Sequence, residues 1–277
     1  MRAAIDFGIS NTDLLVEREG RFQQWTQASR GKPTPELLES LFGHVGLRTS
    51  DFKQIAVTGG QHNALPSQIG DSQIVPVGEL AAIGRGGQAL AQEAGIVFGT
   101  PLVVVSAGSG TAAVAARDDR YSHITGSGVG GGTLLGLGRL LLQTVDPGEI
   151  DALASKGDPN GADLALADVI SGPIGSLPAD ATAVNFGRLG REDLAVSRED
   201  LAASLVTLVS QVIAVTAINA ARAQQIEHVV VIGHLTDMAS VRKVLKTVGG
   251  YYGMDLVVPG EAGHSTAMGA LLHLAAA

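Results

Sequence analysis

The sequence contains no cysteine, and only 17% of its residues are charged, below the roughly 25% usual for soluble domains. Without cysteine there is no disulfide and no thiolate metal site, which points to the cytoplasm. Scarce charge beside 45% hydrophobic residues points to a well-filled core and a buried subunit interface. Positive charge is not in excess either. The formal net charge of −8 argues against nucleic-acid binding, which relies on basic patches. No export signal is expected, because Asp6 in "MRAAIDFGIS" interrupts what would be the apolar part of a leader. No low-complexity linker divides the 277 residues, so the boundary between two lobes is expected near residue 100.

One uncharged run, 201–221 ("LAASLVTLVSQVIAVTAINAA"), has the length of a bilayer span. Ser204, Thr207 and Gln211 fall on one helical stripe within it, and Ser210, Thr216 and Asn219 add polarity. The expectation is therefore a buried or dimer-facing helix and no membrane partner. Ser197 stands three residues before Asp200, a capping-box start for a soluble helix.

Strands are expected at 3–7 and 12–18 around the turn "GISN", then at 54–60 in "QIAVTGG". Leu37, Leu38, Leu41 and Phe42 have helical spacing across 35–44. A second helix spans 79–94, where Gly84, Gly86 and Gly87 each weaken it by about 1 kcal/mol and so imply close packing. The second half opens on the strand "LVVVS". A glycine cluster then opens a helix across 125–141, the long helix follows, and "HVVVIGHL" is a buried strand ending at Gly233. A small-residue helix closes the chain. Strand, turn and helix recurring in both halves indicate α/β architecture in two similar lobes.

Directly behind "PLVVV" comes "SAGSGTAAV" (106–114), bare backbone of the kind that cradles phosphate. A Walker loop is excluded, since "RGKPT" lacks the leading glycine. The dinucleotide pattern is matched at Gly108-x-Gly110-x-x-Ala113 and Gly126-x-Gly128-x-x-Gly131. Neither match opens a first βαβ unit or is followed by the acid such a fold needs about 20 residues on. The third design closes two hairpin turns on ATP from opposite lobes. It uses "IDFGISNTD", "SAGSGT" and "VVVIGHL" in order, with Asp6 facing a magnesium ion that takes one or two carboxylates.

These motifs resemble the acetate and sugar kinase/Hsp70/actin superfamily and, within it, the type II (eukaryote-like) pantothenate kinases. The resemblance rests on "ITGSGVGGGTLLGLGRLL", "KGDPNGADLALADVISG", "AVNFGRL" followed by "VSREDLAASLV", "HVVVIGHL" and "EAGHSTAMGALLHL", in register over most of the chain. It implies a two-lobed actin-like ATPase fold with a ribonuclease H-like core in each lobe, lobes 1–100 and 101–277, and a homodimer built on the long helix. It implies transfer of the γ-phosphoryl of Mg·ATP to the primary hydroxyl of pantothenate, with Glu79 as the catalytic base. By the same resemblance ATP is held by Asp6, Gly8, Ser10 and Asn11 of the first turn and by Gly108, Ser109, Gly110 and Thr111 of the second. Gly130, Gly131 and Gly132 close over the transferring group, and Gly233 lies at the adenosine. Thr125, Ala112 and His123 are implied on the acceptor side, and His62, which follows a glycine pair expected to line the cleft, is a further substrate-side candidate.

Three positions depart from the family's pattern. Asp13 stands where the family carries a lysine that reaches the phosphates. His123 replaces an arginine that holds the acceptor, and Ala112, beside Thr111, replaces a serine. An anion beside a triphosphate is costly, and histidine lacks the two-pronged guanidinium geometry. These departures leave open a kinase for another hydroxy acid, a nucleotide-binding regulatory homologue without catalysis, and an ATPase coupled to a partner protein. His62 and Asn63 are candidates for the cleft, and Asn185 and Arg188 for the nucleotide or a neighbouring subunit. Trp25 is read as packing for the first hairpin. His228, His234, His264 and His273 show no transition-metal spacing.

Overall fold

The computed structural model describes residues 1–170, 172–191, 195–260 and 262–276, with side chains to residue 274. Ser171 and Glu261, which belong to blocks quoted above, lie outside the described residues. The first half is built on β1 (Arg2–Phe7), β2 (Asn11–Arg18) and β3 (Arg21–Ala28), an antiparallel meander. Helix α1 (Pro35–His44) leads to β4 (Gln54–Thr58), parallel to β1, and β5 (Gln68–Ile69) and β6 (Ser72–Pro76) complete the sheet order β3-β2-β1-β4-β6-β5. Thr34 caps α1 by accepting from the Leu37 amide, with Pro35 at the first helical position.

After α2 (Glu79–Glu93), the second half repeats the plan with β7 (Leu102–Ala107), β8 (Thr111–Arg117) and β9 (Arg120–Ser127). The chain continues through α3 (Gly131–Leu141), α4 (Pro147–Ala154), β10 (Leu164–Ala165), α5 (Leu166–Val169) and β11 (Thr182–Val184) to α6 (Arg198–Gln224). It ends with β12 (His228–Ile232), α7 (Ala239–Tyr251), β13 (Leu256–Val257) and α8 (Ser265–Ala276). The second sheet has the order β13-β12-β7-β8-β9, again three antiparallel strands with a parallel neighbour, β12 beside β7. The glycine cluster is shared between two elements: β9 extends to Ser127, and α3 begins only at Gly131.

Side-chain alternation along each strand divides the molecule into layers. Ala3, Ile5 and Phe7 face Leu38, Leu41 and Phe42 of α1, while Ala4 and Leu15 face Ala267, Ala270 and Leu271 of α8. In the second sheet Val103 and Val105 face α6, and Leu102 and Val104 face Ile83 and Ala91 of α2. The last helix thus returns to the first sheet, and the helix before residue 100 covers the second. Trp25 lies on β3, a strand the sequence reading did not identify, and stacks on His44 of α1 at 4.4 Å.

Helices α2 and α8 cross backbone to backbone between the two sheets. A Cβ on Gly86 would stand 1.9 Å from the Ser265 carbonyl oxygen, and one on Gly269 would stand 1.9 Å from that of Ala82. Gly84 and Gly87 are filled by the Tyr121 ring and Val104. The close packing expected of the α2 glycines is what the structure has.

The long helix α6 is capped by Ser197, whose Oγ accepts from the Asp200 amide at 3.0 Å, and two thirds of its apolar window is buried inside the fold. Its polar stripe meets a buried acid. Asp163 is wholly buried and accepts from the Phe186 amide at 2.8 Å, Thr182 Oγ1 at 3.2 Å, Asn185 Nδ2 at 3.4 Å and the Ser204 hydroxyl. Burial raises its pKa, against these hydrogen bonds. Asn185 also donates to Gln211 Oε1 at 3.1 Å, and Arg188 bonds Asp168 at 2.8 Å and the Asn160 carbonyl at 3.1 Å. Asn185 and Arg188, expected at the nucleotide or at a neighbouring subunit, do not line the central cleft. A buried acid needs donors, and this segment supplies them.

Gly86→Ala should lower stability by about 2 kcal/mol or more, since a carbonyl oxygen cannot yield to a methyl group. Gly43→Ala, in α1 with open space around it, should cost nothing and gain a few tenths up to about 1 kcal/mol. Paired urea denaturation curves measure both.

Candidate functional site

A cavity of about 410 Å³ opens where the two halves meet. From the first half it is lined by Asp6 and Asp13 and by the turn residues Gly8, Ser10 and Asn11. From the second half come Gly108, Ser109, Gly110, Thr111 and Ala112. The turns touch: Ser10 Oγ and Ser109 Oγ are 2.6 Å apart. Glu79, first residue of α2, lines the same cavity, with Ile83 one turn below.

The glycine triplet braces the second turn from behind. Gly131 N donates to the Gly108 carbonyl at 2.8 Å, and Gly132 N to that of Ser109 at 2.9 Å. A Cβ on Gly130 would stand 2.8 Å from Gly110 backbone atoms. Gly131 reaches the cavity wall, whereas Gly130 and Gly132 do not line it. The amides of Gly131 and Gly132 are spent on the turn. What α3 offers the cavity is its positive N-terminal end.

At the other end Leu134 and Leu135 of α3, Pro147 of α4, and Leu235 and Met238 make an apolar slot that the sequence reading missed. Gly233 closes β12 there with φ 103°. A Cβ on it would lie 2.6 Å from the Ala107 carbonyl oxygen, so the close approach requires glycine.

The remaining residues expected on the acceptor side lie beside the cavity. His62, His123 and Thr125 are not on its lining. Thr125 and exposed His123 sit on β9, and His123 Nε2 lies 3.5 Å from where a Gly126 Cβ would stand, with Gly126 paired to Ala112. His62 Nδ1 bonds the Gly59 carbonyl at 2.6 Å, and Gly59 packs against the Asp6 carboxyl.

No lysine or arginine lines the cavity among the described residues. Its acids are Asp6, Asp13 and Glu79. Burial, then the charges of Asp13 and Glu79, push the Asp6 pKa up to about 7, with His234 opposing. Asp13 is cross-strand partner to Asp6 and buried. Its Oδ1 accepts from Thr26 Oγ1 at 2.6 Å and from His234 Nε2 at 2.9 Å. His234 Nδ1 in turn faces Asp237 Oδ2 at 3.0 Å. Both ring nitrogens thus meet carboxylates, which only accept, so the imidazolium is the form that satisfies both. Burial alone would lower its pKa; the bonds and charges of the two acids override this and raise it to about 10. Neighbouring His264 is held below its usual value by burial, with the His234 charge adding to this against Asp13. The only signals in the sequence were an acid opposite Asp6 and a histidine after Gly233.

The folded pKa of His234 lies above its unfolded value near 6.5, so its contribution is complete below about pH 6.5 and is lost as pH rises through about 10. The stability difference between wild type and His234→Asn should therefore be wide at pH 6 and nearly closed at pH 10, by denaturant melts. An equal difference at both ends would refute the imidazolium assignment.

The family model described as Fumble matches residues 89–273. A protein named type II pantothenate kinase from Bacillus cereus is 28% identical over 82% of both chains, and one of the same name from Oceanobacillus iheyensis is 26% identical over 98% of both. Among solved structures, the activator of 2-hydroxyisocaproyl-CoA dehydratase from Clostridium difficile with bound ADPNP aligns with TM-score 0.64 at 16% identity, over 98% of this chain and 93% of that one. The ROK hexokinase from Thermus thermophilus aligns with TM-score 0.54 at 12% identity, over 100% of this chain and 99% of that one. The fold is the two-lobed actin-like ATPase fold. The blocks in the sequence, the paired turns and the family match agree: the chain belongs to the Fumble family, that of the type II pantothenate kinases.

Proposed function

We propose that the protein is an ATP-dependent kinase that phosphorylates the primary hydroxyl of pantothenate, the opening step of coenzyme A synthesis. The observation that carries this reading is the contact of two bare turns at Ser10 and Ser109, with Glu79 on the wall of the same cavity. The turns grip the phosphates, the slot of Leu134, Leu135, Leu235 and Met238 takes the adenine, and the acceptor approaches beside Ala112. Glu79 accepts the hydroxyl proton as the alcohol oxygen bonds to the γ-phosphorus and the bond to the bridging oxygen of ADP breaks.

Magnesium fits this donor set. A deep carboxyl with a raised pKa, in an acid-lined cavity without lysine or arginine, suits a dication. Asp6 would hold the ion, directly or through water, and the ion would neutralise phosphate charge. His62, His123 and Thr125 complete the acceptor side. Because His123 is exposed and off the lining, a kinase for a different hydroxy acid is the second reading. We assign the protein to the cytoplasm as a homodimer, supported by the half-exposed stripe Leu208, Val212 and Val215 on α6. The lobes are taken as 1–100 and 101–277.

A coupled assay over pantothenate and a panel of hydroxy acids tests the acceptor. Turnover of pantothenate supports the main reading, turnover of another acid alone supports the second, and ADP release without any acceptor sinks both. Glu79→Gln should cut kcat by about a hundredfold or more while the protein still binds an ATP analogue. Withholding magnesium should weaken ATP-analogue binding by about tenfold or more, read by calorimetry.

A further inference from the structure

Five polar side chains, of which Asp13 and His234 line the cavity, join the two halves of the molecule. Asp13 and Thr26 come from β2 and β3; His234 and Asp237 come from the turn after β12, and His264 from the turn before α8. Thr26 has one proton and gives it to Asp13 at 2.6 Å, so its 3.0 Å contact with His264 Nε2 must be donated by the histidine. Gly263 leaves the room for this arrangement, because a Cβ there would stand 2.3 Å from the His234 ring.

We propose that this cluster is an interlobe latch that positions the first phosphate turn against the adenine slot, with His234 as the positioning residue and Asp237 and Thr26 as its outer anchors. The inference rests on the nucleotide reading of the cavity given above. A buried aspartate facing a triphosphate would repel it; a cation bonded to that aspartate removes the repulsion. The same bond ties β2, whose first residue Asn11 ends the first turn, to the turn after β12, which carries the adenine slot residues Leu235 and Met238. Slot and first turn are therefore held in register before nucleotide arrives, which lowers the ordering cost of binding. His234 spends both nitrogens on acids and has none left for a phosphate, so it acts through position and charge. The charged groups around it are Asp13 and, farther off, Asp6 on the first sheet, Glu79 at the start of α2, His264 beside α8, and Asp237 with Arg242, which bonds the Thr236 and Asp237 carbonyls, on its own side.

The decisive variants avoid the cavity. Asp237 is 44% exposed at its side chain, and neither it nor Thr26 lines the cavity. Binding of the non-hydrolysable analogue AMPPNP with magnesium to the full chain, followed by calorimetry, should weaken by about five- to tenfold in Asp237→Asn and in Thr26→Val. Asp237→Glu, which keeps the carboxylate, should recover most of the loss. The KM for ATP should rise in step while that for the acceptor stays within about twofold. Wild-type affinity in the folded variants overturns the latch, and so does an equal rise in both KM values, which would mean general loosening. If one variant fails to fold, the other decides. Wild-type protein that binds no Mg·AMPPNP overturns the nucleotide reading and the latch with it, whereas wild-type binding with unchanged variants overturns the latch alone.

Discussion

The crossing of α2 and α8 at Gly86 and Gly269 is the contact on which the cavity depends. Two sheets backed by ordinary helices would be held apart by side chains. Here the helices meet through bare backbone, and each presses its other face on one sheet, α8 with Ala267 and Ala270 toward the first and α2 with Ile83 and Ala91 toward the second. Both helices also begin at the cavity. Glu79 opens α2, and Thr266 stands in the first turn of α8, so the crossing sets where the carboxylate lies relative to the turns. Separating the helices by one methyl group would widen the gap that Ser10 and Ser109 now close at 2.6 Å.

Elements governed by local chemistry were legible in the sequence. The first hairpin and α1 fall where periodicity places them, and α6 starts at the Ser197 cap that its capping pattern indicates. The polar stripe Ser204–Gln211, read only as a reason against a membrane span, proves to be the wall of the Asp163 pocket. What sequence could not display is partnership across long separations. Asp13 and His234 are 221 residues apart and bond at 2.9 Å; as isolated letters one is a misplaced acid and the other a scattered histidine. Strand β3 escaped notice because its side chains are mostly exposed and polar, leaving no apolar alternation to read. The glycine triplet was legible as a phosphate-related motif, but which partner took its amides was decided by a turn some twenty residues earlier.

Among the described residues the cavity wall carries no lysine or arginine, and the cationic His234 on it is spent on two aspartates. Backbone turns and the N-terminal end of α3 supply positive potential from groups whose orientation the fold fixes, at little side-chain entropy cost. That choice explains why glycine is needed at Gly8, where a Cβ would meet the Asn11 carbonyl oxygen at 2.8 Å, and at Gly130, where it would meet the second turn. It also explains why the acids can remain. Asp6 is deep enough for its carboxyl to be neutral up to about pH 7 without a cation, and Asp13 is matched by His234. A lone lysine in place of this pair would bring charge without fixing the geometry. The aspartate–imidazolium–aspartate chain fixes geometry and leaves an acid on the cavity wall at Asp6; on the kinase reading, affinity for a polyphosphate would then fall to a dication and to the backbone.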